Sequence, residues 1–171
     1  MKYADCRNQI ATGDLVAIRK RTGFLPVLTR WMTKSPYTHT ALVVWWEDRL
    51  LVAESKGSGN FFTPLSQYED TDFDVFAAPA SVRGTIGAVI WKATGKHVGY
   101  GFFDLVLIAL NRLFGLPLPE HDDGEKVCSA MSAAMWIEAG WCPLSLPSIP
   151  APDDVVRAVM SAPKFMVRAD D

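Results

Sequence analysis

The sequence predicts an α+β domain, because the segments typical of strands come first in the chain and those typical of helices follow. Between residues 15 and 79, short runs rich in β-branched and aromatic residues are separated by turn residues. From residue 81 onward, apolar residues recur at helical spacing in segments of eight or more residues. This order favours an α+β domain over a doubly wound α/β domain.

The composition is that of a single globular domain. The chain has 171 residues, of which 49% are hydrophobic and 21% are charged, and this length is enough to bury a substantial core. It carries 17 basic and 19 acidic residues, for a net charge of -2, and no basic cluster runs along it. Nucleic acid is therefore not an expected partner, because phosphate binding needs concentrated positive charge.

The three cysteines, Cys6, Cys128 and Cys142, are too few and too scattered for a disulfide framework. No C-x-x-C pair accompanies them, so we expect free thiols in a reducing compartment, with no metal and no cofactor. Charges near the N-terminus argue against a signal peptide and favour a cytoplasmic protein as synthesised. The most apolar segment, 102–110, contains Asp104 and is too short for a transmembrane helix.

Four strands are predicted in the first half, over 15–19, 39–46, 50–55 and 72–79. Three polar residues separate the middle two, which indicates a hairpin, and both faces of the first of these are apolar, as expected of a central strand. A helix is expected over 24–33, with Pro26 in its first turn and Ser35-Pro36 beyond its end. Gly57-Ser58-Gly59 is interpreted as a turn.

Helices are predicted in the second half over 81–94, 102–114, 128–139 and 153–160. Gly140 is the expected C-terminal cap of the third of these helices. A proline-rich connector over 143–152 precedes the last helix, and residues 164–168 could form a final strand.

Cys128 stands at the predicted start of a helix. The free N–H groups and partial positive charge of a helix N-terminus favour a thiolate over a thiol. The same N–H groups can donate hydrogen bonds to an oxyanion formed on a substrate carbonyl. Cys128 is therefore the candidate nucleophile, and the alternative is a small buried core residue.

A cysteine nucleophile needs a base, and His39 is the candidate because it begins an otherwise apolar strand. Glu54, on the next strand, is its candidate partner, since a buried carboxylate is costly unless it is paired. If the loop has two residues, Trp46 lies opposite Arg49 and Glu54 becomes the diagonal neighbour of His39. A slip of one residue would separate the two side chains, and the alternatives are a structural histidine and an exposed carboxylate at the strand end.

Tyr37 and Ser129 are the candidates for oxyanion or substrate contacts. Tyr37 precedes His39 by two residues, with packing in the turn as the alternative interpretation, and Ser129 follows Cys128. The other histidines, His97 and His121, lie in segments expected at the surface.

The order of these parts resembles the circularly permuted NlpC-type papain-like cysteine hydrolase family, which includes YiiX-like proteins and is related to lecithin–retinol acyltransferase. The resemblance covers roughly residues 13–140 and rests on the motifs G-D-L-V, S-P-Y-T-H-T-A-L-V, V-A-E-S, P-L-S-Q-Y, F-F-D near G-Y-G, and V-C-S-A-M. It implies a permuted papain-like domain, with an antiparallel sheet or small barrel packed against helices and the nucleophile at a helix N-terminus. The chain departs from the family pattern at Thr38, Phe103-Asp104 and Ala130.

The resemblance also implies an activity and a set of roles. Cys128 would be the nucleophile, His39 the base and Glu54 its orienting partner in a cysteine peptidase or amidase. The substrate would be a peptide or a peptidoglycan stem, with delivery by a phage particle or a secretion apparatus. The alternatives are a lipid-directed acyltransferase or thioesterase acting on an acyl lipid, and a catalytically idle binding module on the same fold.

Overall fold

The computed structural model describes residues 1–56, 59–94, 128–159 and 161–169, apart from the side chains of residues 24, 25 and 32. The predicted helix over 102–114, His97, His121 and Phe103-Asp104 lie outside these ranges. The helices within them, numbered in chain order, are α1 (Tyr3–Cys6), α2 (Phe24–Thr33), α3 (Ile86–Thr94), α4 (Cys128–Glu138) and α5 (Pro152–Ala158). Among the described residues, no helix has both the length and the apolar character that crossing a bilayer requires.

Six strands form one antiparallel sheet in the order β4-β3-β2-β1-β5-β6. The strands are β1 (Leu15–Ile18), β2 (His39–Trp46), β3 (Arg49–Lys56), β4 (Gly59–Pro64), β5 (Phe73–Phe76) and β6 (Phe165–Val167). The predicted α+β class is therefore confirmed, as is the hairpin of β2 and β3.

β2 lies in the interior of the sheet between β3 and β1, and both faces of the sheet are covered, as the two apolar faces of this strand predict. Leu42 and Val44 on one face belong to a core that includes Trp136 of α4. Ala41 and Val43 on the other face belong to a second core, built with the N-terminal segment of the chain. Alternation along the strand sends successive side chains to opposite cores, which locks the register of β2.

Two expectations for the strands and helices are corrected by the structure. Gly57 and Ser58 of the expected turn lie outside the described residues, but Gly59 begins β4 and pairs with Lys56. This strand lacks the regular alternation that would have revealed it. The helix expected over 81–94 begins only at Ile86 and follows a short 3₁₀ turn over Ala80–Val82. Gly84, between that turn and the helix, is a poor residue for a helix interior.

Gly140 ends α4 as predicted. Its φ of 104° lies in the region that favours glycine. The Gly140 N–H donates to the carbonyl of Ile137, and the Trp141 N–H reaches back to the carbonyl of Trp136 at 2.8 Å. These bonds satisfy carbonyl groups that a helix end otherwise leaves without partners.

Candidate active site

The β2–β3 hairpin sets the relation between His39 and Glu54. Trp46 lies opposite Arg49 across a two-residue loop, which is the predicted register. That register makes Glu54 the diagonal neighbour of His39, and the Nε2 atom of His39 lies 2.7 Å from Oε2 of Glu54. The contact predicted from the hairpin is therefore present.

The Glu54 carboxylate is buried, with only 1% of the residue exposed, and it has several partners. The Tyr68 hydroxyl donates a hydrogen bond to Oε2 at 2.6 Å. The ammonium group of Lys56 forms an ion pair with Oε1, also at 2.6 Å. The neighbouring Thr63 of β4 also lowers the pKa of the carboxylate. A buried carboxylate beside the His39 ring, the Tyr68 hydroxyl and the Lys56 ammonium group remains ionised.

Cys128 is the first residue of α4, where the helix N-terminus approaches the beginning of β2. Its side chain is buried and forms a hydrogen bond with His39. Because Nε2 of His39 faces Glu54, Nδ1 is the ring nitrogen that remains for the sulfur. Backbone N–H groups of Thr40 and Ser129 also donate to Cys128. The order of contacts is thus Cys128, His39, Glu54.

A short hydrogen-bonded chain fastens the first turn of α4 to β2. The Ser132 hydroxyl donates to the carbonyl oxygen of Cys128 at 3.0 Å. The Thr40 hydroxyl donates in turn to Ser132 Oγ at 3.3 Å. All three residues are buried, so these bonds fix the position of Cys128 relative to the strand that carries His39.

The three groups shift one another's ionisation. Burial raises the pKa of Cys128, but the positive charge and hydrogen bond of His39 outweigh it and hold that pKa below the ordinary thiol value. Burial lowers the pKa of His39, yet Cys128 and then Glu54 raise it to about 10. Burial likewise raises the pKa of Glu54, and its hydrogen bonds and the charge of His39 lower it to about 2. These shifts favour a thiolate, an imidazolium and a carboxylate at neutral pH.

The structure gives the side chains of Tyr37 and Ser129 other partners. The Tyr37 hydroxyl donates to the buried carboxylate of Asp74 at 2.7 Å, beside Arg19. The Ser129 hydroxyl donates to the carbonyl oxygen of Pro150 at 2.6 Å. A hydroxyl has one proton to donate, so neither side chain offers an oxyanion donor in this arrangement. The backbone N–H of Ser129 donates to Cys128 instead.

Sequence reasoning missed several residues of this site, namely Tyr68, Lys56, Thr63, Thr40 and Ser132. Thr40 and Lys56 were visible as neighbours of His39 and Glu54 along their strands. Tyr68 ends the short 3₁₀ turn Leu65–Tyr68 after β4. The P-L-S-Q-Y motif marks this position, but without a predicted β4 nothing in the sequence places Tyr68 beside Glu54.

The three central side chains do not converge on one point. Nε2 of His39 faces Glu54 and the His39 ring also interacts with Cys128, so His39 lies between the two, whereas a metal site needs its ligands around a common centre. Within the described ranges, no group of three or more histidine, cysteine, aspartate or glutamate residues is arranged to hold a metal ion. An imidazole between a thiol and a carboxylate can transfer protons and assist nucleophilic attack.

Comparisons with known proteins identify the fold. No family model matches the sequence, and no curated protein is significantly similar to it. The structure is similar to the crystal structure of the metalloprotein yiiX from Escherichia coli O157:H7, a DUF1105 protein, with a TM-score of 0.56. The two chains are 18% identical, and the match covers 77% of this chain and 67% of the other. The chain therefore has a YiiX-like α+β fold.

Proposed function

We propose that the protein is a cysteine hydrolase that cleaves an amide or another acyl bond. Cys128 is the nucleophile, His39 is the general acid and base, and Glu54 orients His39. The observation that carries the proposal is the continuous contact from the Cys128 sulfur through the His39 ring to the buried Glu54 carboxylate. A nucleophile, its base and an orienting group in contact are the signature of this chemistry.

In the first step, the Cys128 thiolate attacks the carbonyl carbon of the substrate and forms a C–S bond. The bond from that carbon to the leaving nitrogen or oxygen breaks, and the His39 imidazolium gives its proton to the leaving group. The negative charge on the carbonyl oxygen is stabilised by N–H groups at the N-terminus of α4. These groups take the role that the sequence suggested for Tyr37.

In the second step, water attacks the acyl-cysteine thioester. His39, now neutral, takes a proton from the water as the new C–O bond forms. The C–S bond breaks, which restores the Cys128 thiolate and the His39 imidazolium and releases a carboxylic acid. Glu54 keeps its charge throughout and holds the ring in place.

The expected substrate is an amide in a peptide or a peptidoglycan stem, and this expectation comes from the family resemblance. The alternatives are cleavage of a lipid ester and no cleavage at all, as expected of a catalytically idle module. The test offers peptides, peptidoglycan stem fragments and lipid acyl esters side by side, and mass spectrometry follows both product release and the acyl adduct on Cys128.

Wild type is expected to form an adduct on Cys128 and to release product from the peptide or stem substrates. Cys128→Ala should lose both signals. Cys142→Ala is the matched control, because it removes an exposed thiol, and it should keep both. Turnover that survives in Cys128→Ala would refute the mechanism. An adduct and product from lipid esters alone would identify an acyl lipid, and not a peptide or stem, as the substrate class.

A further inference from the structure

Two side chains contact the Glu54 carboxylate without taking part in the proposed reaction. The Tyr68 hydroxyl donates to Oε2, the same oxygen that lies 2.7 Å from His39 Nε2. Lys56 engages Oε1 and also lies over the Tyr68 ring, with its nitrogen 5.5 Å from the ring centroid. Oε2 is therefore held by hydrogen bonds, whereas Oε1 accepts none from the described residues and is held by the ion pair with Lys56 alone.

The need for such fixing follows from the freedom of a glutamate side chain. Its terminal torsion is broad and roughly two-fold, so a carboxylate held by one contact can turn away from its partner. With Tyr68 and His39 both on Oε2, rotation of the carboxylate breaks two hydrogen bonds at once. Glu54 itself is buried, so water cannot readily replace the lost donors.

We propose that Tyr68 and Lys56 are positioning residues for the Cys128–His39–Glu54 centre. Tyr68 fixes the orientation of the Glu54 carboxylate toward His39. Lys56 places a positive charge beyond Glu54, and this charge limits how strongly the carboxylate stabilises the His39 imidazolium. The inference rests on the proposed function for the roles of the three central groups.

The charges around His39 give the direction of the Lys56 effect. Cys128 on α4 and Glu54 on β3 are negative and favour the imidazolium, the Tyr68 hydroxyl is neutral, and Lys56 is the described cation beside Glu54. Removing that cation leaves the imidazolium more stable, so His39 should hold its proton to a higher pH. Because 46% of the Lys56 side chain is exposed, salt should weaken this effect.

The test of Tyr68 is hydrogen exchange of the His39 Nε2 proton, followed by NMR and assigned by its absence in His39→Ala. Tyr68→Phe should speed the exchange roughly tenfold, because a hydrogen bond to a charged group is lost and the carboxylate turns more freely. Tyr3→Phe, at a buried tyrosine in the other core, is the control and should leave it unchanged. Unchanged exchange in Tyr68→Phe, or a variant that does not fold, would overturn the positioning role of Tyr68.

The test of Lys56 is the NMR titration of His39 in Lys56→Met. The midpoint should rise by roughly 0.2 to 0.7 of a pH unit, the range that partly exposed charge pairs give, and the rise should shrink in 1 M salt. Lys92→Met removes a lysine from an exposed ion pair with Glu138 and should leave the midpoint unchanged. A midpoint that stays the same or falls in Lys56→Met would overturn its role.

These readouts do not require turnover, so the two proposals can fail separately. If the His39 signals change as expected but no acyl substrate is cleaved, the positioning inference stands and the hydrolase proposal fails. If substrates are cleaved through Cys128 but neither variant alters His39, the hydrolase proposal stands and the positioning inference fails.

Discussion

Replacing Glu54 with glutamine removes one charge from the centre and keeps the shape of the side chain. A hydrogen bond to a charged group contributes about 1.5–3 kcal/mol, and one pKa unit corresponds to about 1.36 kcal/mol. Cys128 still raises the pKa of His39 in the variant, but the contribution of Glu54 is lost. We therefore expect the pKa of His39, which is raised to about 10 in the wild type, to fall by roughly one to two units.

The pKa of His39 is followed by NMR titration of isotope-labelled histidine. The unfolding free energy is measured separately by urea unfolding at several pH values. The pKa of Glu54 is lowered from 4.5 to about 2, so its contribution to stability is complete above pH 4.5 and is lost as the pH falls toward 2. The difference in unfolding free energy between wild type and Glu54→Gln should shrink over that range.

Glu138→Gln provides the matched control, because it removes an exposed carboxylate that pairs with Lys92. The pKa of His39 should not change in this variant. The reasoning is refuted if Glu54→Gln also leaves the pKa of His39 unchanged, or if its stability difference from wild type stays constant on acidification.

Three further substitutions test the surroundings of the site by urea unfolding and thiol alkylation. Tyr37→Phe should lower the unfolding free energy by about 1–3 kcal/mol, because the buried Asp74 loses a donor, and should leave Cys128 alkylation unchanged; slower alkylation would favour a role in the site. Ser132→Ala should lower the unfolding free energy by about 1 kcal/mol and slow Cys128 alkylation. If neither value changes, the first turn of α4 is held by other contacts. Gly140→Ala should lower the unfolding free energy by at least about 1 kcal/mol because of the positive φ at this residue. An unchanged unfolding free energy would argue against the role of Gly140 as a helix cap.

The pairing of His39 with Glu54 could be predicted because it is local. A short polar loop fixes the hairpin register, and the two-residue period of a strand then decides which side chains share a face. The cap at Gly140 could be predicted for a similar reason, since a helix end and its glycine are adjacent in sequence.

The approach of Tyr68 and the position of Ser129 could not be predicted in this way. Tyr68 reaches Glu54 only because β4 adds to the sheet edge, and that strand carries no clear alternation. The Ser129 hydroxyl faces the carbonyl of Pro150, a residue of the proline-rich connector whose path no spacing rule supplies. Contacts between distant segments depend on the packing of the whole domain.

The rate of thiol alkylation at mildly acidic pH tests most directly whether His39 holds Cys128 as a reactive thiolate. At about pH 6, iodoacetamide should modify Cys128 at least about tenfold faster than Cys142, although Cys128 is buried and Cys142 is exposed. His39→Ala should abolish the difference. Faster modification of Cys142 in the wild type, or a Cys128 rate that His39→Ala leaves unchanged, would contradict the account.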